Sequence, residues 1–268
     1  MIKLENIDQA YGKKQVLKNI NLEIQDNKIT ALVGANGAGK STLLNVIARL
    51  IDKSSGKIFI DNKSICEMKS DEISRKLAIL KQQNNINISL TVKELVTFGR
   101  FPHSKGRINK NDIRIIDEAI AYMKLEDIVN DDINKLSGGQ RQRAYIAMIL
   151  AQDTPYILLD EPLNNLDMRH SVEMMLLLER LVKELNKTIV IVVHDINIAA
   201  AFADHIVAMK NGEIISEGCP DQMIDEKVLD NVFDHNFCVV GYQGRKMCVY
   251  YNGEQNVEKI REEFRSLT

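Results

Sequence analysis

The chain has 268 residues, 45% of them hydrophobic, enough to bury a full core as one compact α/β unit with sub-domains. Its formal net charge of −2 excludes the broad basic surface that nucleic-acid binding needs, so no nucleic-acid partner is expected. The four cysteines, Cys66, Cys219, Cys238 and Cys248, make neither a close pair nor a zinc spacing, and each reads as a packed thiol in a reducing compartment.

In chain order, residues 1–28 read as short antiparallel strands, with a Tyr11-Gly12-Lys13-Lys14 turn between Leu4 and Leu17. Ile29–Val33 is a short apolar run suited to a buried parallel strand. It runs into Gly34-Ala-Asn36-Gly37-Ala38-Gly39-Lys40-Ser41-Thr42, whose glycines allow the backbone N–H groups to turn inward around an anion. Leu43, Val46, Ile47 and Leu50 then repeat at helical spacing, so the loop opens a helix whose N-terminus favours phosphate. In that setting Lys40 reaches the β- and γ-phosphates and the Ser41 hydroxyl holds Mg²⁺. More short strands are expected near 56–66 and at 77–81.

Residues 86–150 interrupt the strand pattern with helical ones, such as Ile113, Ile116, Ile120 and Met123. Near the end of this stretch comes Leu136-Ser137-Gly138-Gly139-Gln140. Ser137 and Gln140 have the spacing of a capping box, and Ala144, Ala147, Met148 and Ala151 line one face of the helix that follows. Such a capped N-terminus is a second anion site, and the economical occupant is the γ-phosphate of ATP held by a partner copy. The apolar strand 156–160 ends at Asp160-Glu161: Asp160 suits Mg²⁺, and Glu161 is placed to polarise an attacking water. Leu178, Leu181, Val182 and Leu185 mark a helix; Thr188–Val193 is a strand that leads to His194, and another strand is expected at 206–209. Phe237–Tyr251 reads as a hairpin around Gln243-Gly244-Arg245, and Val257, Ile260, Phe264 and Leu267 share a helical face beyond it. No apolar run approaches the ~20 residues that span a membrane, and no signal-peptide pattern is expected.

These motifs, in this order, resemble the nucleotide-binding subunits of ABC transporters over nearly the whole length to about residue 240. Gly34–Thr42 matches the Walker A motif, Leu136–Gln140 the signature and Tyr156–Pro162 the Walker B motif. Asn165-Leu166-Asp167 resembles the D-loop, although a small residue and alanine are more usual before Leu-Asp, and Leu163 stands where Thr or Ser is usual. His194 matches the switch histidine and Gln82 the Q-loop glutamine, with Gln83 as its competitor. The resemblance implies a P-loop NTPase core with a mostly parallel sheet, an antiparallel β sub-domain and an inserted helical sub-domain. Residues 1–240 would form the ATPase domain, with the helical sub-domain at about 86–150, and 241–268 a C-terminal extension on the core. ATP and Mg²⁺ are the implied ligands. Tyr11 would stack on adenine; Glu161, His194, Gln82 and Lys40 would serve hydrolysis; Ser41, Gln82 and Asp160 would meet the metal; Asp167 and Ser137–Gln140 would face the nucleotide of the second copy.

Within the family, Thr91–His103 and the run Leu136–Asp167 are most similar to the ATPases of bacterial iron–siderophore, haem and cobalamin importers. The resemblance therefore implies a homodimer on the cytoplasmic face of a membrane, with two permease subunits and, indirectly, an extracytoplasmic substrate-binding protein. The Gly99–His103 stretch would lie close to where the permease docks. A non-transport ABC ATPase is the rival within the family. A kinase or GTPase would lack Ser137–Gln140 ahead of Asp160, and exporter cassettes are often fused to membrane spans.

Overall fold

The computed structural model describes residues 1–82, 88–242 and 244–250. The chain divides into two compact units, one formed by Met1–Asn62 with the residues from Ile191 onward, the other by Lys63–Val190.

The first unit opens with β1 (Ile2–Tyr11), β2 (Lys14–Ile24), β3 (Ile29–Val33), α1 (Lys40–Ile47) and β4 (Ser55–Ile60). Strands β2, β1 and β4 form an antiparallel sheet in which Ile2 lies opposite both Ile24 and Ile60. Alternation puts Ile2, Leu4, Leu22, Ile24, Ile58 and Ile60 inside. The five residues of β3 are all buried, Thr30 included, as expected of a mostly apolar strand covered on both faces.

The second unit holds β5 (Lys63–Ser64), α2 (Ser70–Lys76), β6 (Leu77–Leu80), α3 (Val92–Phe98), α4 (Phe101–Ser104), α5 (Lys110–Tyr122), α6 (Gly138–Ala151), β7 (Tyr156–Asp160), α7 (Met168–Leu185) and most of β8 (Thr188–Val192). Strands β6 and β7 run parallel, with Leu77 opposite Tyr156. Helices α3, α5 and α6 pack together through Leu95, Val96, Ile116, Ile120, Ala144 and Ala147, all buried. Each of the three begins with a capping box, Thr91/Glu94, Asn109/Asp112 and Ser137/Gln140. A good N-cap is worth about 1 kcal/mol, so three hold this helical stretch to fixed starting points.

Returning to the first unit, the chain forms α8 (Ile196–Phe202), β9 (His205–Lys210), β10 (Glu213–Gly218), α9 (Pro220–Met223), α10 (Glu226–Phe233), β11 (Cys238–Tyr242) and β12 (Arg245–Val249). Strand β9 runs parallel to β3 and antiparallel to β10. Strands β11 and β12 form the expected hairpin, tied to α8 by the Asn197 side chain. Its amide Nδ2 donates to the Cys248 carbonyl at 3.0 Å, and its Oδ1 accepts the Cys248 N–H at 2.8 Å. Residue 240 thus lies inside a strand. The helical face expected at 257–267, and Gln83 and Gln243, fall outside the described residues.

Several expectations fail for local reasons. α1 stops at Ile47, which leaves Leu50 on the surface. Ile113 and Leu185 lie at the solvent-facing ends of their helices' apolar stripes and are exposed. Cys66 and Cys219 are exposed rather than packed, whereas Cys238 and Cys248 are buried. Burial, with the Asp195 charge as a second cause, pushes the Cys248 thiol up to about 12. Arg100, within the Gly99–His103 stretch, is 4% exposed, and its Nε donates to Asp112 at 2.9 Å. Among the described residues no helix is long and apolar enough to cross a membrane.

Candidate nucleotide site

The phosphate loop is shaped by its neighbours in the first unit. Val33, the last residue of β3, lies opposite Ala208 of β9, so the chain leaves the strand hard against the next residue of β9. A Cβ on Gly34 would stand 2.1 Å from the Met209 carbonyl oxygen, and Gly34 has φ +138°. Only glycine fits there. Gly39, at φ +105°, is the N-cap of α1 and has no side chain with which to cap it. The N-cap residue thus offers the first turn no side-chain oxygen, and a helix N-terminus of this kind suits an anion. Lys40 is only 5% exposed. Its Nζ donates to the carbonyls of Gly34 at 2.8 Å and Ala35 at 3.0 Å, so the ammonium already lies along the loop. Asn36 and Gly37 are at the exposed crest, and Ser41 and Thr42 are half-buried in the first turn of α1. Ala38 is buried. A donor-rich, electropositive loop of this kind fits a polyphosphate.

Tyr11 ends β1 opposite Lys14 and is 52% exposed, available as a stacking surface rather than packed into the sheet. His194 is exposed just past β8, and the Val193 N–H before it donates to the Leu32 carbonyl of β3 at 3.2 Å. The histidine therefore follows a segment held beside the strand that leads into the loop.

In the second unit, β7 is buried throughout, and Asp160, its last residue, is 5% exposed. Glu161 follows with φ +51°, a backbone conformation that costs a non-glycine residue energy and is concentrated at functional sites. The turn sends its carboxylate to Gln82, whose Nε2 donates to Glu161 Oε2 at 2.6 Å. Asn164 Nδ2 donates to the same oxygen. Gln82 and Glu161, far apart in sequence, are thus brought into direct contact; the part of Asn164 is one that sequence reading missed.

Ser137 caps α6 as expected: its Oγ accepts from the Gln140 N–H at 3.3 Å, while Gln140 Oε1 accepts from the Ser137 N–H at 3.0 Å. Gly138 and Gly139 are in the first turn of α6. Asp167 caps α7, its Oδ1 accepting the His170 N–H at 2.8 Å, with the ring Nδ1 at the same distance. These contacts hold the Asp167 carboxyl below its usual range, the backbone N–H contributing most. Lys40, Ser41, Tyr11 and His194 belong to the first unit, and Gln82, Ser137, Asp160, Glu161 and Asp167 to the second. Among the described residues no group of three His, Cys, Asp or Glu forms a metal cage. Mg²⁺ needs none, because it commonly binds through one or two carboxylates and the phosphates of its nucleotide.

The model of the family described as "ABC transporter" matches residues 17–164. The petrobactin import ATP-binding protein YclP of Bacillus subtilis is 53% identical over 252 residues, covering 94% of this chain and all of that protein. The petrobactin import ATP-binding protein FatE of Bacillus anthracis is 46% identical, covering 87% of this chain and 94% of its own. Among solved structures, the dimeric bacterial ABC transporter cassette MJ0796 superposes with a TM-score of 0.73 at 35% identity, over 82% of this chain and 99% of that one. A second structure of that dimer is a post-hydrolysis state bound to ADP and Pi, with the same TM-score of 0.73. The fold is that of an α/β P-loop cassette, and the chain belongs to the ABC transporter family.

Proposed function

We propose that this chain is the ATPase subunit that drives import of an iron–siderophore through a partner membrane permease. The observation that carries the cargo is the 53% identity to a petrobactin import ATP-binding protein across the whole of that relative. In this reading Gly34–Thr42 hold the triphosphate and Tyr11 stacks on the adenine. Lys40 exchanges its two carbonyl partners for the β- and γ-phosphate oxygens. Glu161 accepts a proton from the attacking water, and Gln82 and Asn164 hold its carboxylate in place. His194 donates to the γ-phosphate. Ser41, Asp160 and Gln82 would hold Mg²⁺, which supplies positive charge at the phosphates when bound.

Two copies form the working unit, supported by the dimeric cassette that the chain resembles. Ser137–Gln140 and Asp167 of one copy face the nucleotide of the other. The dimer is placed on the cytoplasmic face of the membrane against two permease subunits, with an extracytoplasmic substrate-binding protein delivering the cargo. Phe98 and Phe101, 55% and 61% exposed beside Arg100, offer the permease an apolar surface. Residues 1–240 serve as the cassette, with about 86–150 as its helical insertion and 241–268 as an extension.

The test is uptake of labelled iron–siderophore by cells carrying wild-type protein or Glu161→Gln, with haem and cobalamin alongside. Loss of siderophore uptake alone is expected. Loss of haem or cobalamin uptake instead would change the cargo, and normal uptake of all three would refute the importer.

A further inference from the structure

His170, which no motif singled out, joins two of the segments that the proposed function places against the nucleotide. Asp167 is held in its charged form, and a carboxylate only accepts hydrogen bonds. The ring proton of His170 therefore sits on Nδ1 and is donated to Asp167 Oδ1 at 2.8 Å, on the same oxygen as the residue's own N–H. The other edge of the ring lies on the signature turn. A Cβ on Gly139 would stand 3.0 Å from His170 Cδ2 and 3.3 Å from its Cγ. One residue earlier, a Cβ on Gly138 would come to 3.3 Å from the Asn165 carbonyl oxygen. Neither glycine has positive φ, so the turn has no conformational need for them. Their small size instead lets the 165–170 segment pack directly on the start of α6.

We propose that His170 is a positioning residue for ATP hydrolysis. Its imidazole is clamped between Asp167 and Gly139 and fixes the signature turn relative to the D-loop. The inference rests on the reading of those two segments as nucleotide-facing. It requires a ring or amide that can donate to Asp167 on one side while filling the space over Gly139 on the other. Displacing reacting groups by about 1 Å can cost on the order of 100-fold in rate, so a lost clamp acts on turnover rather than on binding of ATP by the phosphate loop.

The experiment measures steady-state ATPase activity of the full chain for His170→Leu, His170→Asn, Gly139→Ala and the Gly139→Ala/His170→Ala pair, with His170→Ala as the remaining corner. Binding of a fluorescent ATP analogue reports that each variant is folded. His170→Leu should lower kcat by roughly 10- to 100-fold with KM for ATP within about twofold. His170→Asn, whose amide N–H can replace Nδ1–H, should recover most of that loss. Gly139→Ala should be costly beside His170 and much milder beside alanine, a non-additive cycle. Wild-type turnover in His170→Leu, no recovery in His170→Asn, or an additive cycle would each overturn the proposal. Glu161→Gln, run in parallel, separates the two readings. If it turns over normally, the hydrolytic site itself is wrong; if it is slow while His170→Leu is normal, only the positioning role falls.

Discussion

Arg100→Met should be among the most destabilising single changes in the helical part of the second unit. The guanidinium donates through Nε to Asp112 Oδ1 at 2.9 Å and through Nη1 to the Ala151 carbonyl at 2.9 Å. Both side chains are almost wholly buried, at 5% and 2% exposed. Methionine fills much of the stem volume, so the loss is mainly electrostatic: Asp112 keeps its charge without its partner. Removing one member of a buried pair costs about 3–5 kcal/mol, and the last carbonyls of α6 lose a cation that favours a helix C-terminus. Thermal unfolding of the full chain followed by circular dichroism should show a drop in Tm on the order of 10 °C. The deficit has a signed pH dependence. The Asn109 N–H first, and Arg100 next, hold the Asp112 carboxyl below its ordinary 3.8. A depressed carboxyl contributes stability that is full above the unfolded value and is lost as pH falls through the folded one. In the variant the Asn109 N–H still acts but Arg100 does not, so the carboxyl takes up a proton at a higher pH than in wild type, and the gap to wild type should narrow as pH falls through the variant's folded value. Asp112→Asn placed in the Arg100→Met background should recover about 2 kcal/mol by removing the stranded charge. A cost below about 1 kcal/mol, or a deficit that does not narrow on acid titration, would refute the buried-pair argument.

Gly34→Ala forces a Cβ to within 2.1 Å of the Met209 carbonyl, so it should abolish tight ATP binding and lower Tm, checked by nucleotide titration and a thermal melt. Gln82→Leu removes the 2.6 Å donor to Glu161; kcat should fall by about 10-fold or more with nucleotide affinity little changed, read from steady-state ATPase kinetics. Of the four thiols, Cys66 and Cys219 should react quickly with iodoacetamide at pH 8, and Cys238 and Cys248 should not, because they are buried and the Cys248 thiol is pushed up to about 12. Peptide mass spectrometry distinguishes the four sites, and rapid labelling of Cys248 in the folded chain would contradict its placement behind Asn197.

The parts of the fold that sequence could reveal are those ruled by local period and local chemistry. Ile29–Val33 and Tyr156–Asp160 appear as strands at the expected residues because short runs with four of five side chains apolar, bounded by turn residues, suit a buried strand. The Ser137/Gln140 box forms because both partners lie within one turn. Where the period continues past the end of an element, it misleads: Leu50 keeps the spacing of α1 after the helix has stopped at Ile47. The same helical stretch hid the Asn109/Asp112 box, which lacks the Ser/Thr–Glu/Gln pattern that signals one, whereas Thr91/Glu94 carries that pattern and sequence reading missed it.

The candidate site divides along a similar line. Motif residues are recognisable because phosphate, metal and water each demand particular groups at fixed spacing. The residues that aim them are not, because their partners come from elsewhere in the chain. Gln82 and Asn164 converge on one oxygen of Glu161 only once β6 and β7 pair. Nothing in the sequence pairs Arg100 with Asp112 or Ala151, yet it holds the end of the helix that begins at Gly138. Gly139 makes the case most sharply. In sequence its glycine suggests a backbone that must bend; in the structure its φ is ordinary and a Cβ would press on an imidazole from α7. The constraint belongs to the neighbour: a side chain at 139 requires the His170 ring to give way by a few tenths of an ångström. That makes Gly139 and His170 one unit of design, with a role in turnover that neither position would disclose alone.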